Sequence, residues 1–212
     1  MDELIKASYI PDLKSIGRQD RLLSFVGKAG DNIFINGAPK RCDAHFEALC
    51  GLRRPDLGEI KICGTNPYEL NAHNAAAFRR DTIGAIPRDG GLIPELRMID
   101  QIAFPMQLRG MSSEEILSKV QNLTNHLLPM HNLYNLPVKC NARKQTHAAI
   151  IRAVICEPKI IVLNGFLDDL PDIDTDALWQ VFQSIRPKNS VLIYLSGAPA
   201  PAQVSWTQQL RV

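Results

Sequence analysis

The 212-residue sequence lacks any paired-cysteine motif: Cys42, Cys50, Cys63, Cys140 and Cys156 contain no CxxC spacing. An odd, scattered set reads as reduced thiols used mostly as small buried hydrophobes, not as a disulfide framework. Its five histidines are equally scattered, and His126 and His131 have no cysteine or carboxylate cluster beside them. Ligand spacing therefore predicts no metal site. No run approaches the roughly 18 apolar residues of a membrane span. The start, "MDELIKASYI", is acidic and has no basic stretch ahead of an apolar one, unlike a secretory leader. A cytosolic location is expected. Charge of one sign is also missing: a formal net charge of +2 and 6% aromatic residues leave no basic, aromatic-studded strip for nucleic acid. Internal repeats and low-complexity segments are absent.

What remains is ordinary for a globular chain, with 45% hydrophobic and 22% charged residues, ample for a sizeable core. "RLLSFVGKAGDNIFING" predicts a strand, a turn and a short apolar strand, Ile33 to Ile35. "DAHFEALCGL" predicts a helix with Asp43 as N-cap and Gly51 as its stop. "GEIKICG" and "TIGAIP" read as strands, and "NAHNAAAFRR" as a helix. From Met98 to about Asn135 the pattern is helical. "SSEEILSKVQNLTNHLL" there opens like a capping box and carries Ile116, Leu117, Val120, Leu123 and Leu127 as an apolar stripe. That stripe fits a partner groove or, preferably, packing on the protein's own core. "KQTHAAIIRAVICEP" and "DTDALWQVFQSI" are further helices, while "KIIVLN" and "SVLIYLSG" have the continuous apolar character of buried parallel strands. Such alternation predicts an α/β sheet with a helix-rich insertion.

Four of these pieces, in order, resemble one family. "GLRRPDLGEIKICG", "TIGAIPRDGGLIPELRMIDQIAFPMQLRGMSSEEI", "AAIIRAVICEPKIIVL" and "SVLIYLSG" are similar to segments of ATP-binding-cassette (ABC) transporter ATPases. The likeness is to the compact bacterial ATPases of the Mla, Lol and FtsE types, over roughly residues 20–200. It implies an ABC-ATPase-like, P-loop NTPase α/β core with a mainly parallel sheet, a small antiparallel β lobe and a helical subdomain. Residues 1–97 and 137–212 would form the core and lobe, and 98–136 the subdomain, within one domain.

The residues at the family's chemical motifs differ from its pattern. Counted back from Gly51, the phosphate loop GxxxxGK[ST] falls on Asn36 to Asp43. Asn36 and Arg41 then stand for its glycines, Cys42 for its lysine and Asp43 for its hydroxyl. Starting at Gly37 instead puts Cys42 at the second glycine and Asp43 at the lysine. Pro39 removes one N–H donor from the loop. Asp43 would face a phosphate charge to charge, a repulsion on the order of 4 kcal/mol at about 4 Å and an effective dielectric near 20. Lys40 and Arg41 would offset it only by turning inward, and are read as solvated loop charges. The Walker B strand ends in Asn164 and Gly165, where the resemblance implies a magnesium-binding aspartate and a catalytic glutamate. Asp168 and Asp169 follow and are read as surface loop acids rather than substitutes. Ser196 or Gly197 stands at the switch-histidine position, Arg88 at the loop glutamine, and Cys140, Asn141, Ala142, Arg143 and Lys144 at the LSGGQ signature. Of that segment, Asn141 keeps a helix-capping side chain, and Arg143 and Lys144 are read as exposed charges.

These departures predict a non-catalytic ABC-ATPase-like subunit with no catalytic residue, no nucleotide site, no metal and no cofactor. The alternative is a divergent ATP-binding protein that still binds or hydrolyses ATP to drive transport. The resemblance further implies a peripheral position at the inner face of the cytoplasmic membrane. It also implies a permease-like partner or other complex subunits, and a homodimer or heterodimer with another ABC subunit. The partner groove would use Arg88, Leu92, Ile93, Leu96 and Phe104. Tyr9 falls roughly where the family stacks an aromatic on adenine, with core packing as the other reading.

Overall fold

The computed structural model describes residues 2–12, 22–124, 127–128, 130–168, 170 and 172–212. Two sheets organise them. β1 (Glu3–Ile10), β2 (Leu23–Lys28) and β4 (Leu57–Ile62) form an antiparallel sheet in the order β2-β1-β4. β3 (Asn32–Asn36), β5 (Ile83–Ile86), β6 (Ile160–Asn164), β7 (Val191–Ser196) and β8 (Gln208–Arg211) form a parallel sheet in the order β5-β6-β7-β3-β8.

The helices are α1 (Pro39–Leu49), α2 (Ala72–Thr82), α3 (Met98–Leu108), α4 (Ser113–Thr124), α5 (Met130–Leu133), α6 (Ala142–Val154) and α7 (Asp172–Ile185). Every residue of β6 and β7 is buried, which is why both read as unbroken apolar runs. One sheet face packs with α1 against the antiparallel lobe, around Ile33, Ile35, Phe46, Leu49 and Ile193. The other packs against α6 and α7, around Ile150, Val154, Trp179 and Phe182. Met98, Ile102, Met106, Val120 and Leu133 make a third cluster that binds the helical subdomain to α6.

α4 begins with the expected capping box. Ser112 N donates to Glu115 Oε2 at 2.9 Å, and Glu115 N donates back to Ser112 Oγ at 3.3 Å. Its stripe turns mostly inward: Val120 is buried, and Ile116, Leu123 and Leu127 pack against the third cluster. Leu117 instead stays exposed. Two strands were not expected from the sequence. β1 sits in the middle of the antiparallel sheet, and β8 extends the parallel sheet beyond β3. β8 reads "QQLR", polar at three of its four positions and only partly buried, so an edge strand of this kind carries no apolar run to announce it. Among the described residues no helix is long and apolar enough to cross a membrane.

Candidate functional site at the carboxyl ends of the parallel strands

In open α/β sheets, ligands collect outside the carboxyl ends of the strands, where loops converge. Here Asn36 ends β3, Asn164 ends β6, Ser196 ends β7, and Arg88 follows β5 by two residues. The motif positions therefore do converge, and their side chains engage one another.

Arg88 is the centre of this cluster. Its Nη2 donates to Asn164 Oδ1 at 3.2 Å, its Nη1 reaches Asp168 Oδ2 at 3.4 Å, and its Nε reaches Asp43 Oδ1 at 3.4 Å. Asn164 Nδ2 donates to the same Asp43 oxygen at 2.7 Å. Asp168 also accepts from Tyr194 Oη at 2.8 Å and Ser196 Oγ at 2.7 Å. Burial, then the adjacent Asp168 carboxylate, pushes the Tyr194 hydroxyl up, so it remains the donor. Gly165 has φ +52°, and a Cβ there would come within 2.4 Å of Arg88 Nη1 and 2.8 Å of Asp168 Oδ2. A glycine at that position leaves the space the guanidinium fills.

The phosphate-loop residues take an unexpected form. Only Gly37 and Ala38 separate β3 from α1, because the helix already begins at Pro39. Proline suits a first helical position, where no N–H partner is needed and φ is preset. Ala38 caps the helix without a side-chain hydrogen bond. Asp43 therefore does not cap α1, as its spacing suggested; it lies in the second turn and points to Asn164 and Arg88. Lys40 and Arg41 belong to the first helical turn rather than to a loop, Lys40 exposed and Arg41 half-buried. Cys42 is fully buried, its thiol donates to Gly37 O at 3.3 Å, and burial pushes its pKa up to about 11. Asn36 Nδ2 donates to Ser196 O and Ala198 O at 3.1 and 3.0 Å.

Asp168 is not the surface acid expected from its loop position; its side chain is 15% exposed. The signal was available, since Tyr194 and Ser196 are an i, i+2 pair on one face of a strand otherwise aliphatic. Asp169 lies outside the described residues. Tyr9 is fully buried, with its hydroxyl 2.9 Å from His45 Nδ1, so core packing holds over stacking on a ligand.

The signature segment stands apart from this network. Cys140 is buried, Asn141 caps α6 by accepting from Lys144 N at 3.0 Å, and Ala142 and Arg143 are exposed. Lys144 is half-buried rather than exposed, its Nζ donating to Asn132 Oδ1 at 3.1 Å. Ala142 and Arg88 border one cavity of about 180 Å³.

Of the expected partner residues, Arg88 turns into the cluster instead of an outer groove. Leu92 is half-buried between two core clusters and Leu96 is half-buried. Ile93 and Phe104 are exposed and line an open cavity of about 300 Å³ with Ile83, Pro105, Leu108 and Pro158.

The sheet order, the antiparallel lobe and the helical subdomain together define an ABC-ATPase cassette fold. A dimeric bacterial ABC transporter cassette superposes with a TM-score of 0.79 at 19% identity, covering 92% of this chain and 88% of that one. No family model matches the sequence. Among curated relatives, the lipoprotein-releasing system ATP-binding protein LolD of Cytophaga hutchinsonii is 27% identical over 191 residues, 88% of this chain and 85% of that protein. LolD of Rhodopirellula baltica is 29% identical over 149 residues, which span 70% of this chain and 65% of its own length. The cell division ATP-binding protein FtsE of Escherichia coli is 24% identical over 167 residues, 77% of this chain and 74% of its own. The fold is that of an ABC-ATPase cassette, and the sequence is similar to ATP-binding proteins of ABC transporters.

Proposed function

We propose that this chain is a non-catalytic ABC-ATPase-like subunit, a structural or regulatory component of a membrane-associated, transport-type complex that no longer binds or hydrolyses ATP. The observation that carries this reading is the Arg88 guanidinium, held among Asp43, Asn164 and Asp168 at the end of β6. A magnesium ion needs open carboxylate or carbonyl oxygens, and the two carboxylates here already face a fixed cation. A phosphate cradle needs successive free N–H groups on a wide loop, and the two-residue Gly37–Ala38 link offers no such arc. Cys42, in the lysine position, supplies neither charge nor reach. These residues do not fit Mg-ATP.

The second reading is a divergent ATP-binding protein that drives transport, and the ATP-binding names of the relatives favour it. Phosphate release from Mg-ATP separates the two. The non-catalytic reading expects none above buffer, whether the chain is alone or mixed with its co-purified partners. Release that persists after purification and disappears on Asn164→Ala would support the divergent ATPase.

Contacts would then carry the function. The exposed Ile93, Phe104 and Leu108 beside the 300 Å³ cavity offer an apolar docking face for a permease-like protein. Phe104→Asp should reduce recovery of the membrane partner without changing thermal stability by more than about 0.5 kcal/mol, as expected of an exposed site. Unaltered recovery would count against this face.

A further inference from the structure

We propose that Arg88 is a permanent internal pin, fixing the helical subdomain to the carboxyl edge of the parallel sheet without any bound ligand. The inference deepens the preceding reading of the same site and states how its docking face would be kept in one orientation. The segment from Pro87 to Arg97 is the strap that joins β5 of the sheet to α3 of the subdomain. Each part of that strap is fastened by a side chain.

At its start, Arg88 reaches α1 through Asp43, the end of β6 through Asn164, and the following loop through Asp168. Asp168 is held in turn from β7 by Tyr194 and Ser196. In the middle, Arg152 of α6 donates to Gly91 O at 2.5 Å and Gly90 O at 2.9 Å. At its end, the buried Gln101 of α3 accepts from Ile93 N at 2.7 Å and donates to Ile93 O at 3.1 Å and Leu96 O at 3.3 Å. A rigid path thus runs from the sheet through the strap into the subdomain.

The chemistry of the pin is that of an internal counter-ion. A guanidinium presents several N–H donors in one plane, so it can engage three partners on three elements at once, which a lysine ammonium cannot do in the same geometry. Gly165 is part of the device, because a Cβ there would fit only by displacing the guanidinium. With a bound cation in the cluster, orientation would follow ligand occupancy. With a covalent side chain there, the orientation is constant. Arg88 is accordingly a positioning residue.

Hydrogen exchange on the full, nucleotide-free chain tests this. Arg88→Gln should speed exchange across residues 87–97 by about tenfold or more while β6 and β7 keep wild-type protection, the pattern of a local opening. Arg88→Lys should restore part of that protection. Should Arg88→Gln fold poorly, Asp168→Asn removes one anchor and should loosen the same strap. Unchanged exchange in the strap, or an equal acceleration in strap and strands, would overturn the pin. Calorimetry of the wild type with Mg-ATP reports separately on the non-catalytic reading. Nucleotide binding by the wild type combined with a strap loosened only in Arg88→Gln would sink that reading and leave the pin standing.

Discussion

The interior of the parallel sheet and its carboxyl edge obey different rules, although the same strands run through both. Inside, β6 and β7 are aliphatic and fully buried, and their stability comes from area removed from water and dense packing. At the edge, Asn36, Arg88, Asn164, Asp168 and Ser196 form a cluster whose hydrogen bonds largely close on one another. A catalytic edge leaves donors and acceptors facing the space where a substrate will sit. This edge spends them internally. Most of the energy that holds the sheet therefore comes from its interior rather than from the rim.

If that division holds, a change in the apolar core packed on the sheet should cost far more than one at its rim. Trp179 is fully buried and meets Tyr194, Phe182 and Trp206 edge-on at ring separations of 5.0–6.2 Å. Trp179→Ala should destabilise by about 3–5 kcal/mol in a urea titration followed by circular dichroism.

Acid should also weaken the buried core where α1 meets the antiparallel lobe. Burial, and secondarily Arg41, lowers the pKa of folded His45 to about 4 from its ordinary 6.5. The neutral imidazole is the form the fold favours. Its contribution is complete above pH 6.5 and is lost as pH falls through about 4, to a total on the order of 3 kcal/mol. Urea midpoints measured between pH 7 and 3.5 check this, and His45→Gln should flatten that acid limb.

Rim changes come next. Arg88→Gln leaves the Asp168 carboxylate, mostly out of water, without its cation, and should cost about 1–3 kcal/mol in the same titration. Asp43→Ala should cost about 1 kcal/mol: its side chain is 51% exposed and its Arg88 contact is long, but the buried Asn164 amide loses its 2.7 Å acceptor. An Asp43 effect equal to that of Trp179 would erase the distinction between the two regions.

How legible each region was in the sequence follows from the same physics. Continuous runs such as "KIIVLN" and "SVLIYLSG" reveal buried parallel strands because burial on both faces demands an apolar residue at every position. The capping box at Ser112 was legible because its hydrogen bonds are local, three residues apart. The rim was only half legible. Motif spacing located Asn36, Asp43, Arg88, Asn164 and Ser196, but not which of them pair, because Arg88 meets Asp43 and Asp168 across separations of 45 and 80 residues. The spacing of Asp43 suggests a cap because it does not tell how early the chain winds into a helix, and Pro39 starts α1 sooner than a phosphate loop permits. β8 escaped notice because a partly polar edge strand has no periodic signature.

The claim that the rim is closed on itself is tested most directly by isothermal calorimetry of the purified wild-type chain with Mg-ATP. No heat of binding at protein and nucleotide concentrations in the hundred-micromolar range is the expected result. A saturable isotherm with one site per chain and micromolar affinity would contradict it.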